Sequence, residues 1–289
     1  MMNGFFEGWY YRQHNGSEAV ALIPALHTGG DGVQRASLQV VTGDFSCSVP
    51  FQDFCFDRRR HCFCLGGCRF SAAGMRLNAI SGELALSGAL RYGALRPLGS
   101  DIMGPFRFAP LMQCRHTVFS MAHRVDGRIS INGREYRFRN GTGYMEGDRG
   151  HSFPRRYVWT QGNGGGVSVM MSAAEVPYLG CRFPGVIAAV VRGGEEYRLA
   201  TYTGARLLAA SGRELVIGDR VRRLSARLIE GNSRPLAAPQ RGSMNRTIRE
   251  CADCRVRYVL KERGETVFDV ECANAGFEDA WTGGGEGAL

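Results

Sequence analysis

Lysine is nearly missing from this chain: of its 36 lysine and arginine residues only Lys261 is a lysine, so the formal charge of +9 is carried by arginine. Also missing is any unbroken apolar stretch near the ~20 residues that a membrane helix needs. The opening MMNGFFEGWYYR shows no basic start followed by an apolar run, which argues against a secretion signal. These absences lead to the expectation of a cytoplasmic protein. The arginine excess is compatible with peripheral contact to an anionic membrane surface. Helical periodicity is scarce too, and that leaves sheet as the organising element.

Cysteine is not scarce, at ten residues. A long chain without an export signal has no need of a disulfide framework, so reduced thiols are expected. The densest group is His61-Cys62-Phe63-Cys64 with Cys68 after Gly66-Gly67. Strand alternation puts Cys62 and Cys64 on one face and His61 on the other, which speaks against a zinc site and for no metal. Cys251 and Cys254 have C-x-x-C spacing, but no βαβ pattern surrounds them. The basic runs Arg58 to Arg60 and Arg220 to Arg223 carry no interleaved aromatics, zinc-finger pattern or helix-turn-helix. They read as a solvated face, and nucleic acid is not an expected partner.

What is present is short alternating or apolar runs separated by glycine, asparagine and aspartate turns, the pattern of an all-β chain built of antiparallel sheet. Strands are expected, for example, over Trp9 to His14, Ala19 to Pro24, Ala36 to Thr42, Gly82 to Leu90, Thr117 to Val125, Arg128 to Ile131 and Arg134 to Phe138. Turn signals stand at Asn15-Gly16, Asp126-Gly127, Asn132-Gly133 and Arg263-Gly264. A faint echo pairs Tyr11-x-Gln13-x-Asn15-Gly16 with Trp159-x-Gln161-x-Asn163-Gly164, suggesting a duplicated unit. Residues 93 to 115, with Pro97, Pro105 and Pro110, read as an irregular connection or lid.

Three segments concentrate aromatics, glycines and charges: FFEGWYYR from Phe5, DIMGPFRFAPLMQCRH from Asp101, and GYMEGDRGHSFPRRYVWTQ from Gly143. Together with Gly242-Ser243-Met244-Asn245-Arg246-Thr247-Ile248-Arg249-Glu250 they resemble the tocopherol cyclase-like family over roughly residues 4 to 280. That resemblance implies two consecutive lipocalin-like (calycin-type) barrels, expected at residues 1–150 and 151–289.

Alternation places Glu7, Trp9 and Tyr11 on one face of a strand, and likewise Tyr144, Glu146 and Asp148, and Tyr157, Trp159 and Gln161. If these faces converge inside a barrel they make an aromatic cavity holding a few acids, a ligand pocket in outline to which Phe153 also belongs. The resemblance implies ring closure of a prenylated hydroquinone, or hydration of a related isoprenoid, by protonation of an alkene. Glu146 or Asp148 would supply the proton, Tyr144, Trp159 and Trp9 would line the cation's path, and His151 would polarise the phenol. No cofactor is required. The plainer reading of Glu7, Glu146 and Asp148 is ion pairing with Arg12, Arg149, Arg155 and Arg156 at a junction between barrels. The functional alternative is a non-catalytic carrier of an apolar small molecule. Where the family tends to show Glu-Lys-x-Trp-Gly, this chain has Glu146-Gly147-Asp148-Arg149-Gly150, with glycine in place of a lysine and a charge in place of an aromatic.

Overall fold

The computed structural model describes residues 4–110, 112–178 and 180–281. The outermost bounds expected for the two halves, residues 1–3 and 282–289, lie outside the described residues. The first sheet consists of β1 (Phe5–His14), β2 (Ala19–Thr28), β3 (Gln34–Thr42), β4 (Ser46–Phe51), β5 (Phe54–Asp57), β6 (Cys62–Leu65), β7 (Cys68–Ser71), β8 (Gly74–Ser81), β9 (Leu84–Tyr92), β10 (Cys114–Ile131) and β11 (Arg134–Gly150). The second consists of β12 (Tyr157–Gly164), β13 (Val167–Tyr178), β14 (Cys181–Arg192), β15 (Glu195–Ala200), β16 (Arg206–Ser211), β17 (Glu214–Gly218), β18 (Arg222–Glu230), β19 (Arg234–Gln240), β20 (Ser243–Glu262) and β21 (Glu265–Asp279).

Both sheets are antiparallel and wound alike, the opening strand of each pairing with its last: β1 with β11 and β12 with β21. Each curls round its own apolar core as a barrel. One core holds Trp9, Tyr11, Leu22, Phe63, Phe70 and Met145, and the other Val158, Val169, Ile217, Val256, Tyr258 and Phe277. A third apolar cluster, including Tyr10, Tyr144, Tyr157, Trp159 and Met170, fills the seam where the outer faces of the barrels meet. No helix among the described residues is long and apolar enough to cross a membrane.

The turn signals mostly do as their chemistry demands. Asn132 and Gly133, and Arg263 and Gly264, all have positive φ, as a two-residue hairpin turn between right-twisted strands requires. Asp126-Gly127 is the exception. Instead of reversing the chain, Gly127 (φ +132°) forms a register shift within β10, so the two strands expected there are one long bent strand. Similarly, the expected strand over Gly82 to Leu90 begins instead at Leu84, because Gly82 (φ +57°) belongs to the turn from β8 to β9.

The sequence echo corresponds to the two opening strands, but with opposite facing. Tyr11 points into the first barrel's core, whereas Trp159 lies in the seam. The halves share their winding rather than this residue-by-residue alignment.

Candidate functional site

A cavity of about 190 Å³ opens between the two barrels, not inside either one, which corrects the expectation of a pocket within a barrel. One wall is the outer face of β1, β10 and β11; the other is that of β12, β20 and β21. The connection between β9 and β10, which includes a 3-10 turn at Gly104–Phe108, contributes Met103, Phe106 and Met112 to the lining. It is tied to the second barrel: Arg198 donates to the carbonyls of Ser100 and Asp101, and Tyr202 to that of Ile102. Gly104, at φ +53°, lets the chain pass against the Tyr202 ring, where a Cβ would lie 2.6 Å from the ring.

Register sets the chemistry of the first wall. His116 stands directly across from Asp148 in the β10–β11 ladder, and Glu146 is two residues along on the same face. The imidazole Nδ1 lies 3.0 Å from Asp148 Oδ1 and Nε2 lies 3.2 Å from Glu146 Oε2, the latter off the line of a hydrogen bond. Burial disfavours charge on His116, but the neighbouring Glu146 and Asp148 outweigh it and hold the imidazole pKa well above its usual value. Acceptor oxygens at both ring nitrogens fit the doubly protonated ring. Tyr144 and Trp159 also donate to Glu146 Oε2. On β1, Gly8 pairs with Asp148 and Tyr10 with Glu146; lacking a side chain, Gly8 leaves space over Asp148.

The second wall carries two further acids. Glu250 and Glu278 are direct partners in the β20–β21 ladder. Tyr157 donates to Glu278, and Tyr10, reaching across from the first barrel, donates to Glu250 Oε1. Burial is the main force raising both acids' pKa values, that of Glu250 to about 7 and that of Glu278 well above the usual carboxyl range. Glu250 is only 1% exposed, and its Oε2 has no hydrogen-bond partner. A buried carboxyl oxygen without a partner, in a residue that lines an apolar cavity, calls for a chemical explanation, and a proton carried on that oxygen supplies one.

Buried cross-links hold the walls together. The Arg12 guanidinium, 1% exposed, donates to the Ala252 and Asn274 carbonyls and to Gln161 Oε1. Gln39 exchanges two hydrogen bonds with the backbone of Ala237, at 2.9 and 2.7 Å.

Of the residues singled out from sequence, Glu146, Asp148, Phe153, Tyr157 and Trp159 line the cavity, and Tyr144 supports Glu146 from behind. Trp9 and Tyr11 do not line it: they face the first barrel's core, where Trp9 packs on Phe56, Phe63 and Phe119. Glu7, on the same face of β1, is ion-paired with Arg58. Gln161 is spent on Arg12 and Asn163. His151 is exposed and its Nδ1 donates to the Gly4 carbonyl at 2.6 Å. The arginine pairing considered for Glu146 and Asp148 does not occur among the described residues; their partner is His116. His116, Glu250 and Glu278 were not singled out, although two of the quoted segments end on His116 and Glu250. The donor atoms of His116, Glu146 and Asp148 lie within 4.8 Å of one another, a spacing that also suits a divalent cation.

No protein-family model and no curated protein sequence matches this chain. Solved structures do resemble it. CghA with Sch210972 superposes with a TM-score of 0.61 at 12% identity, over 96% of this chain and 88% of that one. A second CghA structure gives 0.60 at 12% identity, over 99% and 90%. Kievitone hydratase from Nectria haematococca gives 0.56 at 8% identity, over 94% and 88%. At such identities the likeness concerns the fold alone: this chain has the two-barrel architecture of those proteins along nearly its whole length.

Proposed function

We propose that the chain is a cyclase- or hydratase-type enzyme that protonates an alkene of an apolar, phenol-bearing isoprenoid, such as a prenylated hydroquinone, in the cavity between its barrels. The observation that carries this reading is Glu250, a buried acid with its pKa raised to about 7 and one oxygen bonded to Tyr10. Because Tyr10 donates to Oε1, the proton of the neutral acid belongs on Oε2, the atom without a protein partner. In this reading the neutral acid is the proton donor, and its residue lines the apolar cavity.

The atoms balance as follows. The Glu250 proton adds to the alkene and leaves a tertiary cation, which the faces of Tyr157 and Trp159 shield. The phenol oxygen attacks the cation and closes the C–O bond. The phenol's proton passes to Asp148, whose side chain is the more open of the His116-bound pair at 23% exposure, and thence to solvent. Glu250 then regains a proton, so cyclisation consumes nothing; in hydration, water takes the phenol's place. His116, held between Glu146 and Asp148, orients the phenol. The donor in this reading is Glu250 rather than Glu146 or Asp148, since both of those face the imidazole. The names of the fold's neighbours lend support, one of them being a hydratase.

The test is incubation of purified protein with prenylated hydroquinones and prenylated phenols, followed by mass spectrometry and chromatography. A chromanol of unchanged mass, or a product heavier by one water, is expected, with turnover retained after chelation of divalent metals. Substrate bound but returned unchanged in every case would make the protein a carrier and end the enzymatic reading.

A further inference from the structure

We infer that the first barrel carries a second site, a three-thiolate site for a thiophilic d10 cation such as zinc(II) or copper(I), formed by Cys55, Cys62 and Cys64. Sequence spacing alone points instead to His61 and Cys68 as companions of Cys62 and Cys64, and the fold removes both. His61 packs its ring against Trp9 and Phe119, and Cys68 is 1% exposed in the barrel core. What replaces them is Cys55, which the β5–β6 ladder sets directly opposite Cys64. Cys62 lies two residues from Cys64 and therefore shares its face.

The Cys62 and Cys64 sulfurs are 4.0 Å apart, and all three sulfurs lie within 4.8 Å of one another. Bonds of about 2.3 Å at tetrahedral angles place thiolates about 3.8 Å apart, so a small adjustment of Cys55, the exposed member, closes the set. Burial first, then Cys55 and Cys62, push the Cys64 thiol up to about 12. A bound cation takes three thiolates and releases their protons, so the apparent affinity rises with pH.

Asp57, across from Cys62, is engaged by Arg60 through its backbone N–H and guanidinium, which leaves a fourth position to water. Arg69, opposite Cys64 in the β6–β7 ladder, offsets the net negative charge of a divalent ion bound by three thiolates. None of the three cysteines lines the cavity between the barrels, so the site stands apart from the proposed chemistry.

The experiment uses the full chain, reduced and freed of metal, titrated with zinc(II) against a chromophoric chelator. Mass spectrometry after alkylation with iodoacetamide then reads each cysteine. The expected result is one tight equivalent that protects Cys55 from alkylation. Cys55→Ser and Cys64→Ser should each weaken binding at least tenfold, while Cys181→Ser, at an exposed thiol elsewhere, leaves it unchanged. Cobalt(II) in place of zinc should show a thiolate charge-transfer band that shrinks in Cys55→Ser. Cys55 is exposed, so its serine variant does not endanger folding. Absence of tight zinc binding by the reduced wild type, equal affinity in Cys55→Ser, or a Cys55–Cys64 disulfide that persists in mild reductant would each overturn the inference.

Discussion

A carboxylic acid with one oxygen bonded to a tyrosine and the other buried without a partner is under opposing influences, and they meet at Glu250. Burial removes the water that would stabilise its anion and outweighs the Tyr10 hydrogen bond and the Arg12 guanidinium, which favour the anion, while Glu146 nearby adds like charge. If the protonated form is the donor, kcat falls as pH rises through about 7. Stability follows the same proton. The folded pKa of about 7 exceeds the reference value of 4.5, so the folded state holds a proton that the unfolded chain has lost between those values. This contribution is whole below about pH 4.5 and is lost as pH rises through about 7. Glu250→Gln keeps the acceptor for Tyr10 but cannot ionise. Turnover should drop ~10²- to 10⁴-fold, while the variant's thermal midpoint exceeds the wild type's at pH 8 and not at pH 5. Equal turnover across that pH range would remove Glu250 from the chemistry. Gly147 has a packing reason of its own. A Cβ there would lie 2.7 Å from the Phe119 ring and 2.9 Å from Trp9, so Gly147→Val should cost ~1–3 kcal/mol in urea denaturation without changing the acids beside it.

At the level of strands, alternation in the sequence is enough to identify the all-β class and the hairpins at Asn15-Gly16, Asn132-Gly133 and Arg263-Gly264, because period-two patterning and turn chemistry are local properties. Which face of a strand meets which neighbour is not local. β1 is buried on both sides, so nothing in FFEGWYYRQH says that Trp9 and Tyr11 fill a barrel while Tyr10 and Arg12 reach into the second sheet. Glu250 and Glu278 meet only because the turn at Arg263-Gly264 and the register shifts along β20 align them. His116 meets Asp148 by the register of β10 against β11, whose own shifts no spacing rule reveals. For the same reason β1 can be tested as an element that joins barrels. Arg12→Met deletes the guanidinium and leaves the Ala252 and Asn274 carbonyls and Gln161 short of donors in a buried seam. At ~1–3 kcal/mol for each buried group left unpaired, a loss of at least ~3 kcal/mol in chemical denaturation is expected. A loss below ~1 kcal/mol would show that water enters the seam freely and that the walls are not fixed by Arg12.

Taken as a whole, the molecule separates its charges. The arginines behind the net charge of +9 include the exposed Arg58, Arg59, Arg60, Arg220 and Arg223. The cavity, by contrast, is lined by Glu146, Asp148, Glu250, Glu278 and His116, with no arginine or lysine among its described lining residues. An anion is attracted to the outer surface but not to the hollow, where it would lose its hydration and where the His116 imidazolium is already engaged by Glu146 and Asp148. A neutral phenol loses little on entry and can donate to the acids. Two ligands alike in their apolar part, one ending in a phenol and the other in a carboxylate, should therefore differ in affinity at least tenfold at pH 8, as measured by calorimetry. The gap should persist at high salt, because the groups responsible are buried beyond the reach of screening. Residues from both barrels line the cavity, so the phenol should also raise the unfolding midpoint of both sheets together rather than of one alone. Tight, salt-sensitive binding of the carboxylate would instead place the ligand on the arginine-rich exterior and leave the hollow without the role argued for it.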